Sequence, residues 1–168
     1  MAETLLRQHS VQERLGRMDV DLIDVTLTTD AEAHADNDVI AQSIEIPNAV
    51  SVPGGSAIIQ SIMLLDEDDE APIVDLIFQT DNTALASDEG EVINISEANA
   101  RDILGFVNIS SWSDLVACQI AVKSNIGLVV KAASTTKSIW VHAVNRSGGT
   151  YTPAATTDLK MRIGIVKD

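Results

Sequence analysis

Apolar positions in this chain fall in short runs separated by polar breaks. The densest block is Leu115 to Val144, LVACQIAVKSNIGLVVKAASTTKSIWVHAV. Ser124-Asn125 and Ser134-Thr135-Thr136 split it into three runs rich in Val and Ile. In the last, Ile139 to Val144, apolar and polar residues alternate with a period of two. This pattern predicts adjacent strands of a half-buried antiparallel sheet.

The same reading extends along the chain. Val20–Thr28 is predicted as a strand, with a phase slip at Leu22-Ile23 that reads as a bulge or a change of face. Val39–Ile46 is a strand broken by Pro47-Asn48. Ala49–Val52 is a short edge piece stopped by Pro53-Gly54-Gly55. Ser56–Leu65 is apolar nearly throughout, as a central or doubly buried strand would be. Ile73–Gln79, then Phe106–Ser113 as an alternating strand or an irregular crossing, and finally Leu159–Val166 complete the set. In the last of these, Leu159, Met161, Ile163 and Ile165 face in, and Lys160, Arg162 and Gly164 face out. One helix is predicted after Ile95, with Ser96 as N-cap, Glu97 in the first turn and Gly105 just past its end. Ala100, Ile103 and Leu104 would be its core face. Thr29–Asp38, Asp66–Pro72, Thr80–Gly90 and Arg146–Thr150 read as polar connections.

Nine or ten short strands with one short helix predict an all-β fold, a β-sandwich or jelly roll, over residues 19–168 as one domain. Residues 1–18 differ. Val11, Leu15 and Met18 form a short helical stripe, with Leu5 and Leu6 one to two turns earlier. This segment is expected to be an N-terminal arm docked on a domain surface, with a neighbouring subunit favoured.

Composition narrows the class. The chain has 168 residues, of which 45% are hydrophobic and 3% aromatic, so an aliphatic core is expected. No apolar run approaches the roughly 20 residues that span a bilayer. The first residues are too polar for a secretory signal, and Cys118, the lone cysteine, suits synthesis in a reducing cytoplasm. The net charge is −14, and it is segregated. No Lys or Arg occurs between Met18 and Ala100, whereas acids recur from Asp19 to Glu97. Such a surface repels phosphate, so neither nucleic acid nor a membrane is an expected partner. Segregated charge can also draw copies of the chain together.

The chemistry on offer is sparse. Asp30, Glu32, His34, Asp36 and Asp38 alternate acids around a histidine, the donor types a divalent ion takes. A polar loop yields the same letters, so no metal or cofactor is expected; Asp30, His34, Asp36 and Asp38 are the residues that would hold one. The run Asp66-Glu67-Asp68-Asp69-Glu70 lacks the ligand order and central glycine of a calcium loop and reads as a solvated turn. His142 reads as a half-buried structural or interface residue, and Cys118 as a packed thiol. No nucleophile elbow, phosphate-binding glycine loop or paired-histidine zinc motif occurs. A non-enzymatic protein is expected.

Several segments in fixed order carry a resemblance. These are SAIIQSIMLLDEDDEAPIVDLIF, SEANARDILGFV, KSNIGLVVKA and IWVHAVNRSGGTYTPAATTDLKMRIGIVKD. Over most of residues 39–168 the chain resembles the decoration (cement) proteins of tailed-bacteriophage heads. The resemblance implies a β-rich structural protein on the capsid exterior, often trimeric, bound to the major capsid protein and to sister subunits. It carries no active-site residues. The expected contact residues are Leu5, Leu6, Arg7, Val11, Arg14, Leu15 and Arg17 of the arm and the outward Lys160 and Arg162. A tail or fibre-base module, or a receptor-binding domain of the virion, is the competing reading, and a metal-dependent hydrolase built on the Asp30–Asp38 loop is a third.

Overall fold

The computed structural model describes residues 19–83, 85 and 87–167. The chain is one long antiparallel hairpin, rolled up. Its first arm contains β1 (Asp19–Thr26), β2 (Val39–Ile46), β3 (Ser56–Asp66) and β4 (Val74–Gln79). Its second arm contains β5 (Ile103–Ile109), the two-residue β6 (Ser113–Asp114), β7 (Gln119–Lys131), β8 (Ile139–Asn145) and β9 (Leu159–Lys167). The arms pair strand for strand: β1 with β9, β2 with β8, β3 with β7 and β4 with β5. Rolling adds the pairs β3–β9 and β4–β8. The result is a five-stranded sheet, β1-β9-β3-β7-β6, over a four-stranded sheet, β2-β8-β4-β5. This winding is the jelly-roll form of the β-sandwich, as the strand pattern predicted.

Alternation along the strands builds the space between the sheets. Ile59, Ile62 and Leu64 of β3 and Met161, Ile163 and Ile165 of β9 point inward from one sheet; Leu76 and Phe78 of β4 and Ile139, Val141 and Ala143 of β8 meet them from the other. All are nearly or fully buried, and the core is aliphatic apart from Phe78 and Tyr151. Leu159, Met161, Ile163 and Ile165 are buried, as expected, and Arg162 is exposed.

The structure departs from the sequence reading in four places. First, the central block does not form neighbouring strands. β7 lies in one sheet and β8 in the other, so the Ser134–Thr136 break is a crossing between layers. The Ser124-Asn125 break does not end a strand. Asn125 and Gly127 take positive φ (58° and 68°) in a bulge opposite Gln60, and β7 continues. Second, the predicted helix shrinks to one 3₁₀ turn, Asn99–Asp102. Ser96 Oγ does accept a hydrogen bond from the Asn99 amide, at 3.2 Å, but Ile103 is already extended and pairs with β4. So short a helix is marginal, and the sheet ladder outcompetes it. Ala100 is exposed. Gly105 lies in β5, where its φ of 153° and Leu128 Cδ1, 2.6 Å from the position of a Cβ, call for glycine. Third, Ala49–Val52 is not a strand but an irregular bend between turns at Pro47-Asn48 and Pro53-Gly54, although Ala49 and Val50 are buried. Fourth, β1 pairs with β9 in unbroken register through Leu22-Ile23. The slip there is not a bulge: β1 carries apolar residues on both of its faces.

Candidate interaction surface

That last difference marks the site. In the five-stranded sheet, the face turned away from the core should be polar. At one end it is not. Val20 of β1 stands opposite Val166 of β9, Val166 opposite Ile58 of β3, and Ile58 opposite Val129 of β7. Four branched aliphatic side chains thus form one row across four strands, roughly 14 Å wide at the usual strand spacing. Val20 is 65% exposed, Val129 63% and Ile58 38%, with Leu22 (64%) in the row beside it and Val122 (65%) in the third row. Scattered apolar residues are ordinary on a surface; an aligned row is a contact surface in waiting.

Charges border this row in pairs. In the third row Asp24 and Arg162 stand opposite one another, with Arg162 Nε 2.6 Å from Asp24 Oδ1. Hydrogen bonding to Arg162 holds the Asp24 carboxyl below its usual range, and Asp24 in turn raises Arg162. In the next row Lys160 pairs with Glu67 at 2.5 Å. Between them lies a shallow depression of about 270 Å³ lined by Asp24, Thr26, Met63, Leu65, Lys160 and Arg162. Lys160 and Arg162 are therefore at the surface, and each is already ion-paired within the chain. Lys167 with Asp21 (2.7 Å) and Arg146 with Asp75 (2.9 Å) follow the same pattern. Bases late in the sequence neutralise acids from its base-free stretch.

The matching face of the four-stranded sheet is closed. Its outward residues Val39, Ile77, His142 and Val144 are buried yet stand apart from the main core, and Leu85 joins them. The tip of the long hairpin provides the cover. From Gln79, beside Trp140 at the start of β8, the chain runs to Gly90–Ile93, which bonds to Asn37 and Val39 near the other end of that strand. It then returns to β5, so it crosses this face obliquely. Beneath it, His142 Nδ1 accepts from the Ser43 amide (3.0 Å) and Nε2 lies 2.7 Å from Gln79 Oε1. These partners specify the neutral ring protonated on Nε2. Burial lowers its pKa to about 4. His142 is thus fully buried, rather than half-buried.

The other sequence candidates disperse. His34 is buried, with Nε2 3.0 Å from Asp30 Oδ1 but not aligned for a hydrogen bond. Asp38 Oδ2 accepts from the Ala35 amide (2.7 Å), Asp36 Oδ1 from the Gly148 amide (3.0 Å), and Glu32 is exposed. Among the described residues, no three His, Cys, Asp or Glu side chains gather as a metal site would need. The acidic run is more than a solvated turn. Asp66 is fully buried and accepts from the amides of Glu70 (2.9 Å) and Ala71 (2.7 Å), while desolvation raises its pKa. Asp68 and Glu70 accept from the amides of Ala154 (2.7 Å) and Thr152 (3.0 Å), clamping the loop that leads into β9. Cys118 is partly exposed in the turn before β7. Leu5, Leu6, Arg7, Val11, Arg14, Leu15 and Arg17 lie outside the described residues.

Fold and surface together define a class: a jelly-roll β-sandwich with a packed interior and one bare apolar sheet face. No protein-family model and no curated protein matches the chain. Among solved structures, a chain in the capsid of Ralstonia phage GP4 is similar over 91% of this chain and 86% of its own length, at 19% identity and a TM-score of 0.38. A chain of infectious bursal disease virus, Gx strain, is similar over 89% of this chain and 40% of its own, at 13% identity and a TM-score of 0.17.

Proposed function

We propose that this chain is a structural protein of a tailed-phage virion. In this reading it decorates the capsid exterior, binds the major capsid protein and sister subunits, and works as a homotrimer. One observation carries the reading: the exposed Val20–Val166–Ile58–Val129 row on a jelly roll whose interior is filled by its own side chains. A scaffold of this kind offers its outside. Burying each exposed Val or Ile of that row on a partner is worth up to about 1.5–3 kcal/mol, enough for a multivalent assembly of many weak contacts. The segment resemblance to phage decoration proteins supports the choice of shell over other assemblies, and the arm, residues 1–18, supplies further contact.

Two measurements test this. Purified virions should contain hundreds of copies; a few to dozens would place the chain in the tail instead. The purified protein should bind heads that lack it and raise their resistance to heat-induced rupture. Failure to bind such heads at micromolar concentration would end the reading.

A further inference from the structure

We propose that the apolar row on the outer face of the five-stranded sheet is the seat for residues 1–18 of a second copy of this chain. The inference rests on the reading of the chain as an assembling subunit, and it names where one copy holds the next.

Three observations meet here. The first is an unmet need on each side. The sheet exposes Val20, Leu22, Ile58 and Val129, while the first 18 residues carry Leu5, Leu6, Val11, Leu15 and Met18 among polar neighbours. The second is place. Residues 1–18 join the described chain at Asp19, one residue from Val20 and therefore at the margin of the row itself. Because the row runs across the strands at the start of β1, residues 1–18 of every copy begin beside a seat, and the segregated charge that draws copies together brings a neighbour's segment to it. The third is charge. Residues 1–18 hold three arginines against two glutamates, so the remainder of the chain holds eight basic and 23 acidic residues. A mildly basic segment approaching such a body is attracted to it. The charged rows below it are internally paired as Asp24–Arg162 and Glu67–Lys160, and Lys131, exposed beside Val129, is the one further base flanking the row among the described residues.

Such an exchange gives each copy one seat and one occupant, and it closes into a ring when the rotation between copies allows.

The test uses the full-length chain and two readouts. Self-association is measured by sedimentation for the unaltered protein, for Val129→Asp, for Val20→Asp and for a chain lacking residues 1–18. Each change should weaken association about tenfold or more, the worth of one well-buried aliphatic contact. Combining the deletion with Val129→Asp should weaken it no further, since both remove the same contact. In the second readout, Leu15→Cys and Val129→Cys are made in separate Cys118→Ser chains and mixed under mild oxidation. A mixed disulfide dimer is expected. The proposal is overturned if the full-length chain stays monomeric, if deletion weakens association while the Val129 and Val20 changes do not, or if the two cysteines placed in one chain join only within that chain. Head binding is scored separately. Binding without self-association sinks the seat and leaves the capsid reading standing; self-association with the mixed disulfide but no head binding does the reverse.

Discussion

The two sheets turn outer faces of opposite character to the surroundings. On the four-stranded sheet, Val39, Ile77, His142 and Val144 lie under the hairpin tip and are buried. On the five-stranded sheet, Val20, Leu22, Ile58 and Val129 occupy equivalent outward positions and have no cover among the described residues. Strand chemistry does not distinguish them, since both faces are built from branched aliphatic side chains. What differs is the chain beyond the strands. The connection from β4 to β5 is long enough to double back across its own sheet, whereas the connections from β1, β3 and β7 of the other sheet cross to the opposite layer. The 66–71 turn, for example, leads from β3 to β4 and is tied by its carboxylates to the loop before β9. One face is closed by folding; the other is, on the proposed reading, the one used for association. If so, identical changes on the two faces should act on different quantities: folding stability on one, assembly on the other.

The strongest way to break this contrast is a charge under the cover. Val144→Asp buries a second carboxylate between Val39 and Asp75, whose own charge is already paired with Arg146, and should cost more than about 4 kcal/mol, enough to unfold the protein or nearly so. Urea denaturation of this variant reads the loss directly. A cost below about 1 kcal/mol would mean that the hairpin tip lifts off easily and that the two faces are alike.

Acid probes the same cover more gently. His142 is neutral beneath it, with a pKa lowered from 6.5 to about 4 by burial. Between these values the unfolded chain binds a proton that the native chain does not. Stability should therefore fall as pH drops from about 6.5 to about 4, by roughly 3 kcal/mol at most, and this term should flatten below that. Asp66 and Glu89, whose pKa values burial raises, act in the opposite sense, because the native state takes up their protons first. Replacing His142 with Gln should lower stability at neutral pH but remove its share of the acid slope. An unchanged slope in denaturation midpoints across pH 4–7 would show that His142 is reached by water in the native state.

On the bare face, the Asp24–Arg162 pair is exposed, and its loss should be felt less. Arg162→Ala should lower thermal stability only slightly, by an amount that disappears at molar salt. The pair's lowered Asp24 pKa gives stability present above the usual carboxylate range and lost as pH falls through the lowered value. A large, salt-resistant loss would show that this border row is structural rather than a margin around a contact surface.

The core strands were readable because burial on one side imposes period two. β9 shows this best: the spacing of Leu159, Met161, Ile163 and Ile165 points them inward, and all are buried. The layer of each strand was not readable. β7 and β8 look like neighbours in sequence, and only pairing at long range separates them. The helix failed because Ser96, Glu97 and Gly105 satisfy local rules that a β4–β5 ladder overrides. Most instructive is Leu22-Ile23. Its signal is present, as two adjacent apolar residues in a strand, but a phase slip and an outward apolar row give the same local pattern. Val20, Ile58 and Val129 come from three distant strands, so no local window could have joined them. His142 shows the converse limit, since its depth depends on a loop that crosses from elsewhere.

The smallest effect is also the cleanest comparison, because the same atom exchange can be made on both faces. Val→Thr keeps shape and strand preference and swaps a methyl for a hydroxyl. At Val129, which is largely exposed, it should change folding stability by no more than about 0.5 kcal/mol. At Val144, buried beneath the hairpin tip, the hydroxyl loses water and should cost about 1–3 kcal/mol. Association should reverse the order. Val129→Thr should weaken sedimentation-measured self-association several-fold, whereas Val144→Thr, at protein concentrations where it remains folded, should leave it unchanged. If Val129→Thr destabilises the monomer as much as Val144→Thr does, the row is covered by its own chain and is not open to a partner. If both leave association untouched, the exposed aliphatic side chains of β1, β3, β7 and β9 are bystanders, and the contact surface must be sought along the sheet edges.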